Sequence, residues 1–192
     1  MNRILLYIHY NKFDEMSDHV LYQLEKIKPL FSRVILISNS HLEKNYMRKL
    51  EMIGITEIIQ RANIGFDFAA WRDGMEYVGF DHLKKYDSVT LMNDTCIGPL
   101  WSLEPYFRSF ESAIDCDFWG MTNFKKTKYF QEHVQSYFVS YSQAVVSSKV
   151  FQKFWMSIKN FENVRQVIDC YETKLTSKLK KSGFNYQVVF NT

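Results

Sequence analysis

The chain is 192 residues long, 46% hydrophobic and 23% charged, with a formal net charge of +3; that length holds one domain with a real core and leaves little room for a second. No apolar run approaches the ~20 residues that span a bilayer, and Met1-Asn2-Arg3 followed by Ile4 to Ile8 turns polar too soon for a signal peptide, so a cytoplasmic protein is expected. The positive charge is mild and dispersed and no recognised motif accompanies it, so nucleic acid is not expected as a partner.

Arg3 to Tyr10 reads as a strand, and the unbroken apolar run Ile4 to Ile8 suits a central, parallel one. It stops at His9-Tyr10-Asn11. Ser17-Asp18 can then cap a helix carrying Val20, Leu21, Leu24, Ile27 and Leu30 at helical spacing, with Pro29 near its end. Val34 to Ile37 is a second buried strand, ending in Ser38-Asn39-Ser40. Leu42 to Met52 reads as a charged helix closed by Gly54, and Thr56 to Ile59 as a short third strand. The order is βαβαβ, which implies a doubly wound sheet with its polar strand ends gathered on one side.

Asn63-Ile64-Gly65-Phe66-Asp67-Phe68-Ala69-Ala70-Trp71-Arg72 follows. Asn63 and Gly65 allow a tight turn, Asp67 can cap what comes next, and Ala69 and Ala70 let a helix pack closely. The stretch is either a capped helix start on a packed interface or a loop that holds the phosphate or ribose of a nucleotide sugar. Asp87 to Thr95 is a fourth strand that delivers Asn93 and Asp94 to the sheet edge, where open α/β sheets bind ligands. An Asx turn leaving the strand before Gly98-Pro99 explains the same residues. There is no GxGxxG after the first strand and no GxxxxGK[ST] anywhere, so neither standard phosphate loop is present.

Cys96, Cys116 and Cys170 lie far apart without CxxC spacing, which argues against a zinc site or a disulfide framework; they are expected to be reduced and structural. The clusters Lys125, Lys126, Lys128 and Lys178, Lys180, Lys181 read as solvated faces, or as weak attractors of anionic phosphates and lipid headgroups. Aromatic content of 17% suits a large core and equally a site that stacks on a sugar or base.

Asn63-x-Gly65-x-Asp67-x-Ala69-Ala70-Trp71, the strand ending Asn93-Asp94 with Gly98-Pro99 behind it, Asp117-Phe118-Trp119-Gly120-Met121-Thr122, and the later His133 to Phe138 and Phe151 to Trp155, taken in order, resemble the rhamnan synthesis protein F family. Those are glycosyltransferase-like proteins of bacterial cell-wall and capsular polysaccharide synthesis. More distantly the landmarks resemble the GT-A fold of family 2 glycosyltransferases. The resemblance implies a three-layer α/β sandwich with a mainly parallel central sheet, over a single domain spanning 1–192. The run ends just after Val188-Val189-Phe190, where family members often continue, so a C-terminal segment could be missing.

By this resemblance Tyr10, Asn11 and Asn39 hold base and ribose, Asn63, Gly65, Asp67 and Arg72 the phosphate side, and Asn93 with Asp94 the diphosphate or a metal. Asn93-Asp94-Thr95 is a degenerate Asp-x-Asp motif with one carboxylate, so a magnesium or manganese ion on Asp94 would lean on the diphosphate and water. Tyr171-Glu172-Thr173-Lys174-Leu175 matches the pattern that places the catalytic base at Glu172. Against that, Val164, Val167, Ile168, Tyr171, Leu175 and Leu179 form one helical stripe behind Asn163, leaving Glu172 in mid-helix unless the helix breaks near Asp169. Asp169 or Asp117 would otherwise serve. Trp119, Thr122 and His133 are the acceptor side.

The implied activity is inverting transfer of a sugar, rhamnose by family, from a nucleotide diphosphate sugar to a polysaccharide or lipid-linked glycan, with peripheral association at the inner membrane face. A catalytically degenerate glycan- or nucleotide-binding module and a docking part of a polysaccharide-assembly complex are the alternatives.

Overall fold

Strand β1 (Arg3–His9) is buried over six of its seven residues because it has a parallel strand on each side and a helical layer on each face. The structure, a computed structural model, describes residues 1–192. After β1 come α1 (Asp18–Ile27) with a closing 3-10 turn (Lys28–Leu30), β2 (Arg33–Ser38), α2 (Lys44–Met52) and β3 (Glu57–Gln60). Next are α3 (Phe66–Val78), α4 (Phe80–Leu83), β4 (Ser88–Asn93), α5 (Glu104–Ser112), β5 (Phe118–Phe124), β6 (His133–Val134) and β7 (Phe138–Ser142). The chain ends with α6 (Gln143–Ser147), α7 (Lys149–Met156), α8 (Val164–Val167), a π-helical turn (Ile168–Glu172), α9 (Thr173–Lys181) and β8 (Tyr186–Phe190).

The eight strands form one sheet in the order β3-β2-β1-β4-β7-β5-β6, with β8 beside β5. β1 to β4 are mutually parallel, β7 is antiparallel to both β4 and β5, and β8 is parallel to β5. β5 and β8 therefore point the same way as β1 to β4, and six strands end on one side of the molecule. The alternation of a strand divides the core. Ile4, Leu6 and Ile8 face the layer holding α3, α6, α7 and α9, and Leu5 and Tyr7 face that of α1, α2 and α5. α3 lies tightly on the sheet because Gly74 has no side chain; a Cβ there would stand 2.5 Å from Ile37 Cδ1.

The expected first half of the chain is present, with boundaries shifted by a residue or two. Four local expectations are corrected. Ser17 occupies the N-cap position of α1 but its side chain caps nothing, and Asp67 is not the cap of α3, whose N-cap position is Gly65. The stripe from Val164 to Leu179 is not one regular helix: Val164 is exposed, and the π-helical turn widens the chain between α8 and α9. Asn163 does cap α8, its Oδ1 accepting from Arg165 N at 2.8 Å. All three cysteines are free, but only Cys116 is sheltered; Cys96 and Cys170 are exposed rather than part of a core.

β6 and β7 act as one interrupted partner of β5. Between the pairs Gly120–Val139 and Asn123–Val134 the β5 side advances three residues and the other side five. The surplus is a bulge around Gln135, Ser136 and Tyr137, of the kind that re-aims side chains next to sites.

Candidate functional site

From β1 the chain crosses to β2 on one side, and β4 lies on the other, so the loops leaving β1 and β4 diverge and open a crevice at their C-terminal ends. This is the switch point where open α/β sheets take ligands. Asp94, the first residue past β4, is half-buried there, and its Oδ2 accepts from the Tyr10 backbone N–H at 2.9 Å. Burial pushes the Asp94 carboxyl above its ordinary value, while the Tyr10 amide and the neighbouring His9 pull it back down. His9, buried beneath, is lowered by burial against the pull of Asp94. Its Nε2 donates to Glu15 O at 3.1 Å, since a carbonyl only accepts, and Nδ1 lies 3.0 Å from Ser38 Oγ.

Asp67 meets the same crevice from the first turn of α3. Its Oδ2 accepts from Asn93 Nδ2 at 2.8 Å. Burial raises its carboxyl from an ordinary 3.8 to about 6; the Asn93 bond opposes this, and the charges of Asp94 and Glu172 add to it. Asp67 thus lies within electrostatic reach of both Asp94 and Glu172. Glu172 closes the π-helical turn, a feature frequent at functional sites. Its Oε1 accepts from Ser136 N at 3.1 Å and from Ser136 Oγ at 2.7 Å, both on the bulge, and Oε2 has no protein partner.

The ends of β1 and β2 are clasped together. Asn11 N donates to Ser40 Oγ at 2.8 Å, and that hydroxyl donates to Asn11 O at 2.8 Å. Asn39 is buried, with Oδ1 accepting from Arg61 Nη1 at 2.6 Å and Nδ2 without a partner. Arg61 leaves β3 and also donates to Asp73 Oδ2 at 2.7 Å and Ile64 O at 2.7 Å. Asn39, Ser40, Gln60 and Arg61 line a cavity of about 360 Å³. Arg61 was missed in the sequence, although its position directly after a strand marks it. Asn63 is half-buried in the loop that follows.

Two residues expected on the phosphate side are otherwise engaged. Arg72 spends its guanidinium on Asp73 Oδ1 (2.6 Å), Ile158 O (2.8 Å) and Asn160 Oδ1 (3.0 Å), fastening α3 to the segment after α7. Asp67 is a half-buried carboxyl that positions Asn93, and like charge makes it a poor phosphate ligand. Gly65 does shape the loop: its φ is +76°, and its N–H donates to Phe161 O at 3.0 Å.

The acceptor side divides. Trp119 is a core residue, 2% exposed and packed on Phe107 and Phe110 with ring centroids 4.9 Å away, because on β5 it faces the α5 layer. His133 is buried, stacked on Phe124 and bonded to Gln131 O at 2.8 Å, as a structural histidine of the hairpin. Thr122 lies nearer the strand ends; its Oγ1 donates to Gln135 Oε1 at 2.7 Å and lies 2.9 Å from Tyr137 Oη. Tyr137 also lines an apolar cavity of about 160 Å³ with Met92, Ile97, Leu100 and Trp101.

No three His, Cys, Asp or Glu side chains converge closely enough to hold a metal by themselves. The donor set fits a hard cation held by the single carboxylate Asp94 together with phosphate oxygens, the way magnesium is commonly bound. The substitutes for Glu172 are less suited. Asp117 accepts from Asn185 N, and Asp169 pairs with Arg165 at 3.1 Å.

The sequence profile of the family described as "Rhamnan synthesis protein F" matches residues 34–192. The chain belongs to that family. An uncharacterised relative, y4gN of Sinorhizobium fredii, is 30% identical over 180 residues, which is 91% of this chain and 45% of the relative. The chain spans about half the length, or less, of the curated relatives it matches. Among solved structures, a protein assigned as a nucleotide-diphospho-sugar transferase from Desulfovibrio desulfuricans G20 superimposes with a TM-score of 0.55 at 11% identity, covering 100% of this chain and 81% of that one. Glucosyl-3-phosphoglycerate synthase of Mycobacterium tuberculosis, in complex with Mg2+ and uridine diphosphate, gives 0.50 at 8% identity over 95% and 80% of the two chains. This member of the rhamnan synthesis protein F family therefore has the GT-A-like fold of nucleotide-diphospho-sugar transferases. No helix in it is long and apolar enough to cross a membrane.

Proposed function

We propose that residues 1–192 form one glycosyltransferase unit that moves a sugar from a nucleotide diphosphate sugar to a polysaccharide or lipid-linked glycan, with inversion. The carrying observation is the position of Glu172. It sits at the end of the π-helical turn, with one oxygen fastened to Ser136 and the other free, electrostatically coupled to Asp67. Inverting transfer needs one carboxylate that takes the proton of the acceptor hydroxyl as that oxygen attacks the anomeric carbon and the diphosphate leaves from the opposite face. Glu172 takes that proton on Oε2, and Ser136 holds it in place.

Tyr10, Asn11 and Asn39, with Arg61 behind Asn39, hold base and ribose; Asn63 and the Gly65 turn lie against the phosphates; Asn93 and Asp94 face the diphosphate. Thr122 and Tyr137 border the acceptor. A divalent cation bound by Asp94 and the diphosphate would neutralise the leaving group. Family membership makes an activated rhamnose the first donor to test, and bacterial wall or capsule glycans the first acceptors. A second reading, a module that binds the donor without turnover, is favoured by the single carboxylate that Asn93-Asp94 presents at the end of β4.

The test is Glu172→Gln. Donor affinity should stay within a few-fold of the parent, while transfer falls by at least about a hundredfold, the usual worth of a general base. Transfer within a few-fold of the parent excludes Glu172 as the base, and an inactive parent with intact donor binding favours the binding module.

A further inference from the structure

The helices α7 and α9 carry positive charge that the proposed transfer does not use. Segment 143–160, which holds α6 and α7, contains Lys149, Lys153 and Lys159 and no aspartate or glutamate. Segment 173–192, which holds α9 and β8, contains Lys174, Lys178, Lys180 and Lys181 and again no acid. Lys178 and Lys180 are neighbours in sequence but part in space. Lys180 Nζ stands 5.4 Å from the ring centroid of Tyr186, whereas Lys178 Nζ stands 5.4 Å from that of Phe154 on α7. Lys178 thereby joins Lys149 and Lys153, which lie one turn apart on α7. With Val150, Phe154 and Ser157 these three lysines line a single open cavity of about 440 Å³.

All three are exposed, and none has a carboxylate within ion-pair distance. Lys149 and Lys153 repel one another at this spacing. Lys149 also stands in the first turn of α7, the positive end of the helix, where an acid is favoured and none is present. Like charges set around one concavity, against local preference and without a counter-charge in the fold, mark a place where a ligand supplies the compensation. The Ser148 hydroxyl already takes the Phe151 N–H, so recognition falls to the ammonium groups rather than to open helix amides.

Lysine meets phosphate as a point charge. One phosphoryl group carries about −1.5 to −2 near pH 7, which leaves part of this charge unanswered; two linked phosphates match all three ammonium groups. Phe154 is 3% exposed beneath Lys178 and offers no face for a base to stack on, which sets single-stranded nucleic acid aside. We propose that the groove between α7 and α9 is an anion site for a diphosphate group, held by Lys149, Lys153 and Lys178. It shares no residue with the crevice, takes its ligand without a metal, and does not depend on the transferase reading.

The test is calorimetric titration of inorganic pyrophosphate, in EDTA, into the parent chain and its variants. The parent should bind at sub-millimolar pyrophosphate, more weakly as salt rises. An exposed ion pair is worth at most about fivefold in affinity, so Lys149→Gln, Lys153→Gln and Lys178→Gln together should weaken binding by on the order of a hundredfold. Lys125→Gln, Lys126→Gln and Lys128→Gln remove equal charge from the turn between β5 and β6 and should leave binding nearly unchanged, as should Asp94→Ala. Circular dichroism of the lysine variants, all at exposed positions, separates lost binding from lost fold. Absence of binding by the parent, equal weakening by the two lysine triplets, or loss of binding in Asp94→Ala overturns the proposal. So does tighter binding of single-stranded RNA through the same three lysines. Nucleotide binding that needs magnesium and Asp94 reports on the crevice, so its absence beside intact pyrophosphate binding sinks only the transferase reading, and the reverse result sinks only this site.

Discussion

Asp67 shows how a single carboxyl ties the crevice to the stability of the fold. Its acidity is displaced from an ordinary 3.8 to about 6, chiefly by burial. Between those values the folded chain holds a proton that the unfolded chain has released, so this group's contribution to stability falls as pH rises from about 4 to about 6 and then levels off. At 1.36 kcal/mol per tenfold in acidity the full displacement is worth about 3 kcal/mol. Asp67→Asn keeps an acceptor for Asn93 Nδ2 and removes the charge. Thermal unfolding of the variant should therefore occur at higher temperature than the parent at pH 7 to 8, and the stability fall between pH 4 and 6 should shrink; an unchanged pH profile would contradict the assignment. The same residue marks the limit of sequence reading. A carboxylate beside a glycine turn looks like a cap or a phosphate-loop residue, and only the packing of α3 on β1 and β2 shows that it turns inward to Asn93. Trp119 and Arg72 mislead in the same way, because neither burial on a strand nor a competing Asp73 is visible from residue type.

At the scale of elements, two backbone irregularities position the site. The first is the turn into α3, where Gly65 takes a φ of +76° and a Cβ would stand 2.5 Å from Ala69 Cβ and 3.0 Å from the Asn160 backbone. An L side chain in the left-handed region costs about 1–2 kcal/mol before any overlap. Gly65→Ala should therefore lower the unfolding midpoint by roughly 2–8 °C for a chain of this size, measured by calorimetric scanning; an unchanged midpoint would show that the loop relaxes freely. The second is the π-helical turn, which meets the Ser136 bulge and aims Glu172. The glycine was legible, since Asn-x-Gly before a helical stripe announces a tight turn. The π-helical turn was not, because a periodic apolar stripe continues through it: Val167, Tyr171, Leu175 and Leu179 remain buried across it.

The whole molecule is organised by β1 and the strands that follow it. Continuous apolar runs at Ile4 to Ile8 and Val34 to Ile37, and the run Val89 to Met92 broken only by Thr90, made the parallel half of the sheet readable, since strands buried on both faces need no alternation. The antiparallel half, β5 to β7, was less readable, because its aromatic residues serve core and site alike. From the parallel half follows the central claim, that the divergence of the loops after β1 and β4 makes a nucleotide sugar site with Asp94 at its centre. Calorimetric titration tests it most directly, with dTDP and UDP, each with and without magnesium or manganese, into the parent chain and an Asp94→Ala variant. The account predicts micromolar binding of at least one nucleotide by the parent, strengthened by the metal and lost in the variant. Absence of binding to either nucleotide, or equal binding by parent and variant, would contradict it.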